Sequence, residues 1–191
     1  MKDWSVWRVA RVVASLFVLM VALYYVVVAF DNITNPVNPN GSNWPFVKGV
    51  ISGDGEPANT GFEWRFSNAA WFQAAVYVLV IAGESLAGIT LLAAGIGGLR
   101  GSANCPRWSR AQRLTYVGGL LGLAVFFMGF TTVGGNWYIM FLNRKWNGLD
   151  PAFQNSVMTA MMLVLVTGVL IGSHVVHEDD DGRVQPVHVD P

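Results

Sequence analysis

Four stretches of this chain carry no Asp, Glu, Lys or Arg except one: residues 12–30, 69–99, 114–142 and 152–176. Each is close to or above the roughly 20 apolar residues a helix needs to cross the hydrocarbon core of a bilayer. A segment in lipid must satisfy its own backbone N–H and C=O groups, so runs of this length are read as helices. The predicted fold is therefore all-α, a bundle of four transmembrane helices at about residues 9–30, 69–99, 114–142 and 152–176. Charged residues make up only 13% of the chain, against about 25% in a soluble domain. No basic run stands outside the flanks of these stretches, so the bilayer is the expected partner and nucleic acid is not.

The charges that remain predict an orientation. Lys2, Arg8, Arg11, Arg100, Arg107, Arg110, Arg113 and Arg183 would share one side, and Lys48, Arg65, Arg144 and Lys145 the other. The side richer in Lys and Arg faces the cytoplasm, so both termini are expected there, with a long first outer loop over residues 31–68. The first apolar run is too long for a signal-peptide core, and no small-residue cleavage site follows it. It is expected to remain as a span. Cys105 is the single cysteine, which rules out an internal disulfide and reads as an unreactive loop thiol. Residues 1–176 form the expected membrane domain, and 177–191 an acidic, disordered cytoplasmic tail.

Proline, asparagine and glycine crowd the first outer loop and predict turns. The Asn43-Trp-Pro-Phe-Val-Lys segment instead predicts a short element on the membrane surface or the bundle top. Asn32-Ile-Thr and Asn40-Gly-Ser match the glycosylation sequon, a pattern that Asn-rich turns generate by chance. Asn43, Trp44, Phe46, Trp64, Arg65, Asn136, Trp137, Trp146 and Asn147 gather on the outer side. They read as an interfacial aromatic belt or as an aromatic-lined pocket or docking surface. Arg65 is expected to pair with Glu63 or to lie against an indole. Asp150 and Pro151 predict the start of the fourth helix.

Glu84 is the one charge within residues 69–99 and lies at their midpoint. A lone carboxyl in a span is costly and faces protein or water rather than lipid. A seam taken at alternating steps of four and three reads Gln73, Tyr77, Val80, Glu84, Ala87, Leu91, Ala94 and Gly98. In the third span it reads Gly118, Gly122, Val125, Gly129, Thr132 and Asn136. Small residues let helix backbones approach, and polar ones bond across. Gly118, Gly122 and Gly129 are thus the expected packing glycines of a tight central pair. Matching span midpoints puts Thr131, Thr132 and Thr167 near Glu84, whose carboxyl is expected to be protonated and bonded to a threonine hydroxyl or a backbone carbonyl. It would fix the bundle register, serve as a proton or cation site, or be buried against a partner subunit.

No histidine lies in the first three spans, which excludes a bis-histidine haem inside the bundle. One carboxylate is too few for a di-iron bundle. His174, His177 and His188 read as a solvated tail rather than a metal site. No nucleotide-binding loop and no activated nucleophile are present, so no catalytic residue, metal or cofactor is assigned.

The chain resembles a bacterial family of predicted small integral membrane proteins of unknown function. The likeness is carried by Asn32-Ile-Thr, Asn43-Trp-Pro-Phe-Val, Trp64-Arg65 and Glu84. It continues through Gly129-Phe130, Gly134-Gly135-Asn136-Trp137, Met140 and Trp146-Asn147-Gly148. The chain departs from that pattern at Ser52-Gly53-Asp54 and at Phe141-Leu142. The resemblance implies four spans and a bacterial inner membrane, and no activity. The leading functional expectation is a non-enzymatic auxiliary or scaffold subunit of a larger membrane assembly, with other membrane subunits or itself as partner. The alternative is a small transporter, or a protein binding an apolar, lipid- or quinone-like ligand through Glu84.

Overall fold

A computed structural model describes residues 6–37 and 43–181, with side chains described through Ser173. Four helices are long and apolar enough to cross a membrane. They are α1 (Val6–Thr34), α3 (Ala70–Gly101), α4 with its continuation (Cys105–Trp137) and α5 (Leu149–Asp181). A short helix, α2 (Asn43–Ser52), follows α1. The all-α four-helix bundle expected from the apolar runs is the observed architecture.

α3 is the central helix. It packs most closely against α1 on one side and α4 on the other, while α5 closes the bundle against α1 and α4. Its buried residues are Gln73, Tyr77, Glu84, Ala87, Gly88, Leu91, Ala94, Gly95, Gly98 and Gly101. Every seam residue expected for this helix is among them except half-buried Val80. The small residues act as the membrane-packing rule requires. A methyl group at Gly88 would press on Val26, one at Gly95 on Leu19, and one at Gly118 on Leu91 and Thr90.

The third span begins at Cys105 rather than near residue 114. Asn104 caps it by accepting from the Arg107 N–H (3.0 Å), and a proline stands in its first turn. Arg107, Arg110 and Arg113 therefore lie on a helix rather than in a loop. Trp108 is fully buried and donates its indole N–H to Ser15 (3.0 Å). Cys105 is buried at the helix start.

From Ala124 to Trp137 the helix is wound as a π-helix. Its i→i+5 bonding makes a wider turn than the α-helix, and the hydroxyls of Thr131 and Thr132 donate to the carbonyls of Phe126 (3.0 Å) and Phe127 (2.9 Å), five residues back. The seam expected at four-and-three steps loses its phase here. Gly118 and Gly122 are buried, but Gly129 and Asn136 are exposed, and Phe126, Gly134 and Gly135 take the inward positions. The span ends where Ile139 adopts a left-handed backbone (φ 47°), which turns the chain toward α5.

Two pairs of contacts mark levels along the bundle. Arg11 donates to the Ser102 carbonyl (3.1 Å) at the arginine-rich end. Asn32 donates to Glu84 (2.5 Å) toward the other end. The 21 residues of α1 between these levels span about 31 Å at 1.5 Å each, close to the thickness of a bilayer core. Glu84 thus lies level with the end of α1, not halfway along it. α3 continues about 21 Å beyond Glu84 to Ala70. Beside that extension, α2 and the 138–148 connection form a cap with its own core of Val47, Val50, Ile51, Tyr77, Tyr138 and Met140.

Residues 177 to 181, expected in the tail, continue α5. The remaining tail residues, 182–191, and the Asn40 sequon lie outside the described residues.

Candidate functional site

Glu84 is 2% exposed, held on α3 where that helix passes beneath the cap. Its partner is the side-chain amide of Asn32, which donates to Oε2. The backbone carbonyl of Asn32 accepts from the hydroxyl of Tyr77 (2.7 Å), two turns along α3. The last turn of α1 is thereby bonded to α3 through one residue in two ways. Asn32 is buried and engaged, so the sequon match at this position is not an acceptor in the folded chain.

The three threonines expected beside Glu84 bond elsewhere. Thr131 and Thr132 serve their own π-helix. Thr167 meets the Tyr116 hydroxyl (3.0 Å) and donates to the Leu163 carbonyl. Matching span midpoints did not find the partner of Glu84 because the helices do not share a midpoint: α1 and α5 stop near the level of Glu84, and α3 does not. A threonine that does cross between helices near this level is Thr159, which meets Tyr25 (2.9 Å). Asn32 itself was legible. The inward residues Val18, Tyr25 and Asn32 continue one seven-residue stripe of α1, and only the charge at Asp31 suggests that the helix has ended.

Two cavities lie near this level, one lined by Glu84 and one lined by the neighbouring Gly83. One, of about 230 Å³, is lined by Glu84, Asn32, Asn43, Asn155, Tyr24 and Tyr77 among others. The other, of about 450 Å³, lies between α3, the π-helix and α2 and is lined almost wholly by apolar side chains, with Gly83, Gly129 and Gly134 giving it room. Phe46, Val47, Val80 and Phe130 line both. The stacked rings of Phe46 and Phe130 (6.0 Å between centroids) are thus a shared wall. Leu79 and Val133 on the larger cavity are exposed, 71% and 45%, so it opens on the flank of the bundle.

The polar and aromatic residues expected on the outer side divide into two groups. Asn43, Trp44, Phe46, Trp146 and Asn147 build the cap. Asn43 donates to Asp31 (2.9 Å), and Trp44 meets Tyr77 edge-on (5.5 Å). Phe46 packs edge-on against Trp146 (6.4 Å), and Asn147 accepts from the Leu149 N–H (3.1 Å) to start α5. Trp146 also donates to Asp54 (3.0 Å), which pairs with Lys145 (2.8 Å). These donors hold the Asp54 carboxyl below its ordinary range. Trp64, Arg65, Asn136 and Trp137 form the second group, away from Glu84. The Arg65 guanidinium lies 5.2 Å from the Trp64 ring and 5.1 Å from the Trp137 ring, and it donates to the Asn136 carbonyl (3.3 Å). Of the two expectations for Arg65, the indole contact is the observed one, since Glu63 accepts instead from Thr60 (2.8 Å).

A family described as predicted small integral membrane protein (DUF2165) matches residues 10–168, and the chain belongs to it. Comparison with curated proteins finds no match, and comparison with solved structures finds none either.

Proposed function

We propose that this member of a small integral membrane protein family binds an apolar molecule with a polar head, as a ligand-binding protein or a small transporter. The observation that carries the reading is the shared wall: an apolar chamber and a chamber holding a buried carboxyl meet at Phe46 and Phe130. Mostly apolar sites with a few placed polar groups are the usual form of a ligand pocket, and 450 Å³ is within the usual size range. The flank opening gives a route from the bilayer. The excess of arginine at the end opposite α2 supports a cytoplasmic position for that end, and the family resemblance a bacterial inner membrane.

The auxiliary-subunit reading rested on the glycine seam and the aromatic surface. The seam and the cap part of that surface are used inside this chain, while Trp64 and Trp137 remain exposed. Gly118 packs on α3 and Gly122 on Tyr25 of α1, and Trp44, Phe46 and Trp146 pack within the cap. That leaves less for a partner to bind, and the ligand reading takes precedence.

Gly129 offers the test. It lines the apolar chamber, and a Cβ there would meet nothing closer than the Ala124 carbonyl at 3.5 Å, so Gly129→Phe is the substitution chosen to occupy the chamber. The protein, purified from its native membrane, is expected to release a stoichiometric apolar molecule on solvent extraction, and Gly129→Phe to release none. Equal recovery from both proteins would overturn the reading. So would stoichiometric co-purification of a larger complex with no small molecule retained.

A further inference from the structure

We infer that the ligand's head is a cation, a hydrophobic amine or quaternary ammonium, seated against Glu84. This rests on the reading that the paired cavities hold a ligand. Among the described residues, neither cavity is lined by a lysine, arginine or histidine. The hydrogen-bond partner of the Glu84 carboxyl, the Asn32 side chain, is a neutral amide. A buried carboxyl without a counter-charge is costly to ionise and keeps its proton instead, whereas a cation beside it favours the ionised form. An arriving cation would supply the missing charge.

The rest of the chamber suits the same head. The rings of Tyr24, Phe46, Tyr77, Phe126 and Phe130 line it together with the carboxyl. Ring faces attract ammonium groups, and combining rings with an anion is how quaternary ammonium ligands are commonly held. Asp31 adds a second carboxylate next to the chamber, accepting from the lining residue Asn43. The side-chain carbonyls of Asn43 and Asn155 are further acceptors available to an N–H of an amine. A carboxylate or phosphate head would meet Glu84 with no basic side chain among the described lining residues to receive it. A neutral quinone-like head would gain only a hydrogen bond from Glu84 and no ion pair. The hydrocarbon part of the ligand would pass the Phe46–Phe130 wall into the larger chamber.

The test uses the full chain in lipid nanodiscs. Radiolabelled decyltrimethylammonium is bound, empty discs are subtracted, and decanol and decanoate serve as competitors of equal chain length. Saturable binding is expected, with both competitors weaker by about tenfold or more, the effect of roughly 1.4 kcal/mol of head recognition. Glu84→Gln keeps an oxygen to accept from Asn32, and should weaken the ammonium by a similar factor and so remove its advantage over decanol. Equal competition by decanol would overturn the cationic head, and because that comparison uses the native chain it stands even if the variant fails to fold. If the three probes bind alike and Gly129→Phe blocks them all, the cavity reading survives and the charge inference falls. If no probe saturates and Gly129→Phe changes nothing, both fall.

Discussion

At the scale of single residues, the Asn32–Glu84 bond is the most exposed to test. Removing the Asn32 amide leaves a buried acceptor unsatisfied, which costs about 1–3 kcal/mol, and more when the acceptor is charged. Asn32→Ala is expected to destabilise the protein by that amount, read as reversible unfolding in mixed micelles. Asn32→Ala with Glu84→Gln should cost less than the sum of the two changes, because the residues touch. Strict additivity would mean that the bond contributes nothing. Gln112 is buried in the same way near the arginine-rich end. Its Oε1 accepts from Thr115 (2.6 Å), and its Nε2 is among the buried atoms that lack a partner.

At the scale of elements, the change from α to π winding within one span decides which glycines matter. Gly122 lies in the α part, against Tyr25, and Gly129 lies in the π part, over open space. Gly122→Leu is expected to lose about 1–3 kcal/mol or more through overpacking, and Gly129→Leu to be neutral or stabilising in the same unfolding assay. The reverse order would mean that the α seam continues through residue 129. The cap has its own pH dependence. Asp54 is tied to Lys145 and Trp146 with its carboxyl held below the ordinary range. A group whose folded value is depressed stabilises above its unfolded value and loses that contribution as pH falls through the folded one. Cap contacts, followed by Trp146 fluorescence in a variant that keeps this tryptophan, should therefore loosen in acid below the usual aspartate range, and Asp54→Asn should remove that step. Glu56 behaves oppositely. Burial pushes its carboxyl up, so its contribution is present in acid and is lost as pH rises through the folded value.

At the scale of the molecule, the bundle has a stepped end. α1 and α5 stop near the level of Glu84, α3 and the π-helix run on, and α2 fills the step. The two ends can be told apart chemically. In a Cys105→Ala background, Ala103→Cys marks the short turn between α3 and α4, and Ala58→Cys marks the loop that follows α2. Both positions are exposed. An impermeant maleimide added to intact cells should label residue 58 and not 103, and inverted vesicles should give the reverse. Labelling of residue 103 from outside would invert the orientation drawn from the arginines.

How much was legible in the sequence follows from which forces act locally. The length and low charge of four runs were enough for the helix count, because lipid leaves a backbone no other way to satisfy itself. The α3 seam was legible from Gln73 to Gly98, because a regular helix repeats its face and small residues mark it. Three things were settled only by the tertiary structure. The helices are offset along the bundle axis, so Glu84 meets Asn32 rather than the threonines matched to it by counting. The π turn at Ala124 shifts the phase of every later residue, and nothing in Ala-Val-Phe-Phe-Met-Gly announces it. The chamber at Glu84 exists because α2 folds back against α3 beyond the end of α1, a contact between segments whose apolar residues are ordinary when read alone. Periodicity is a property of one helix, whereas depth, offset and enclosure are properties of several packed together.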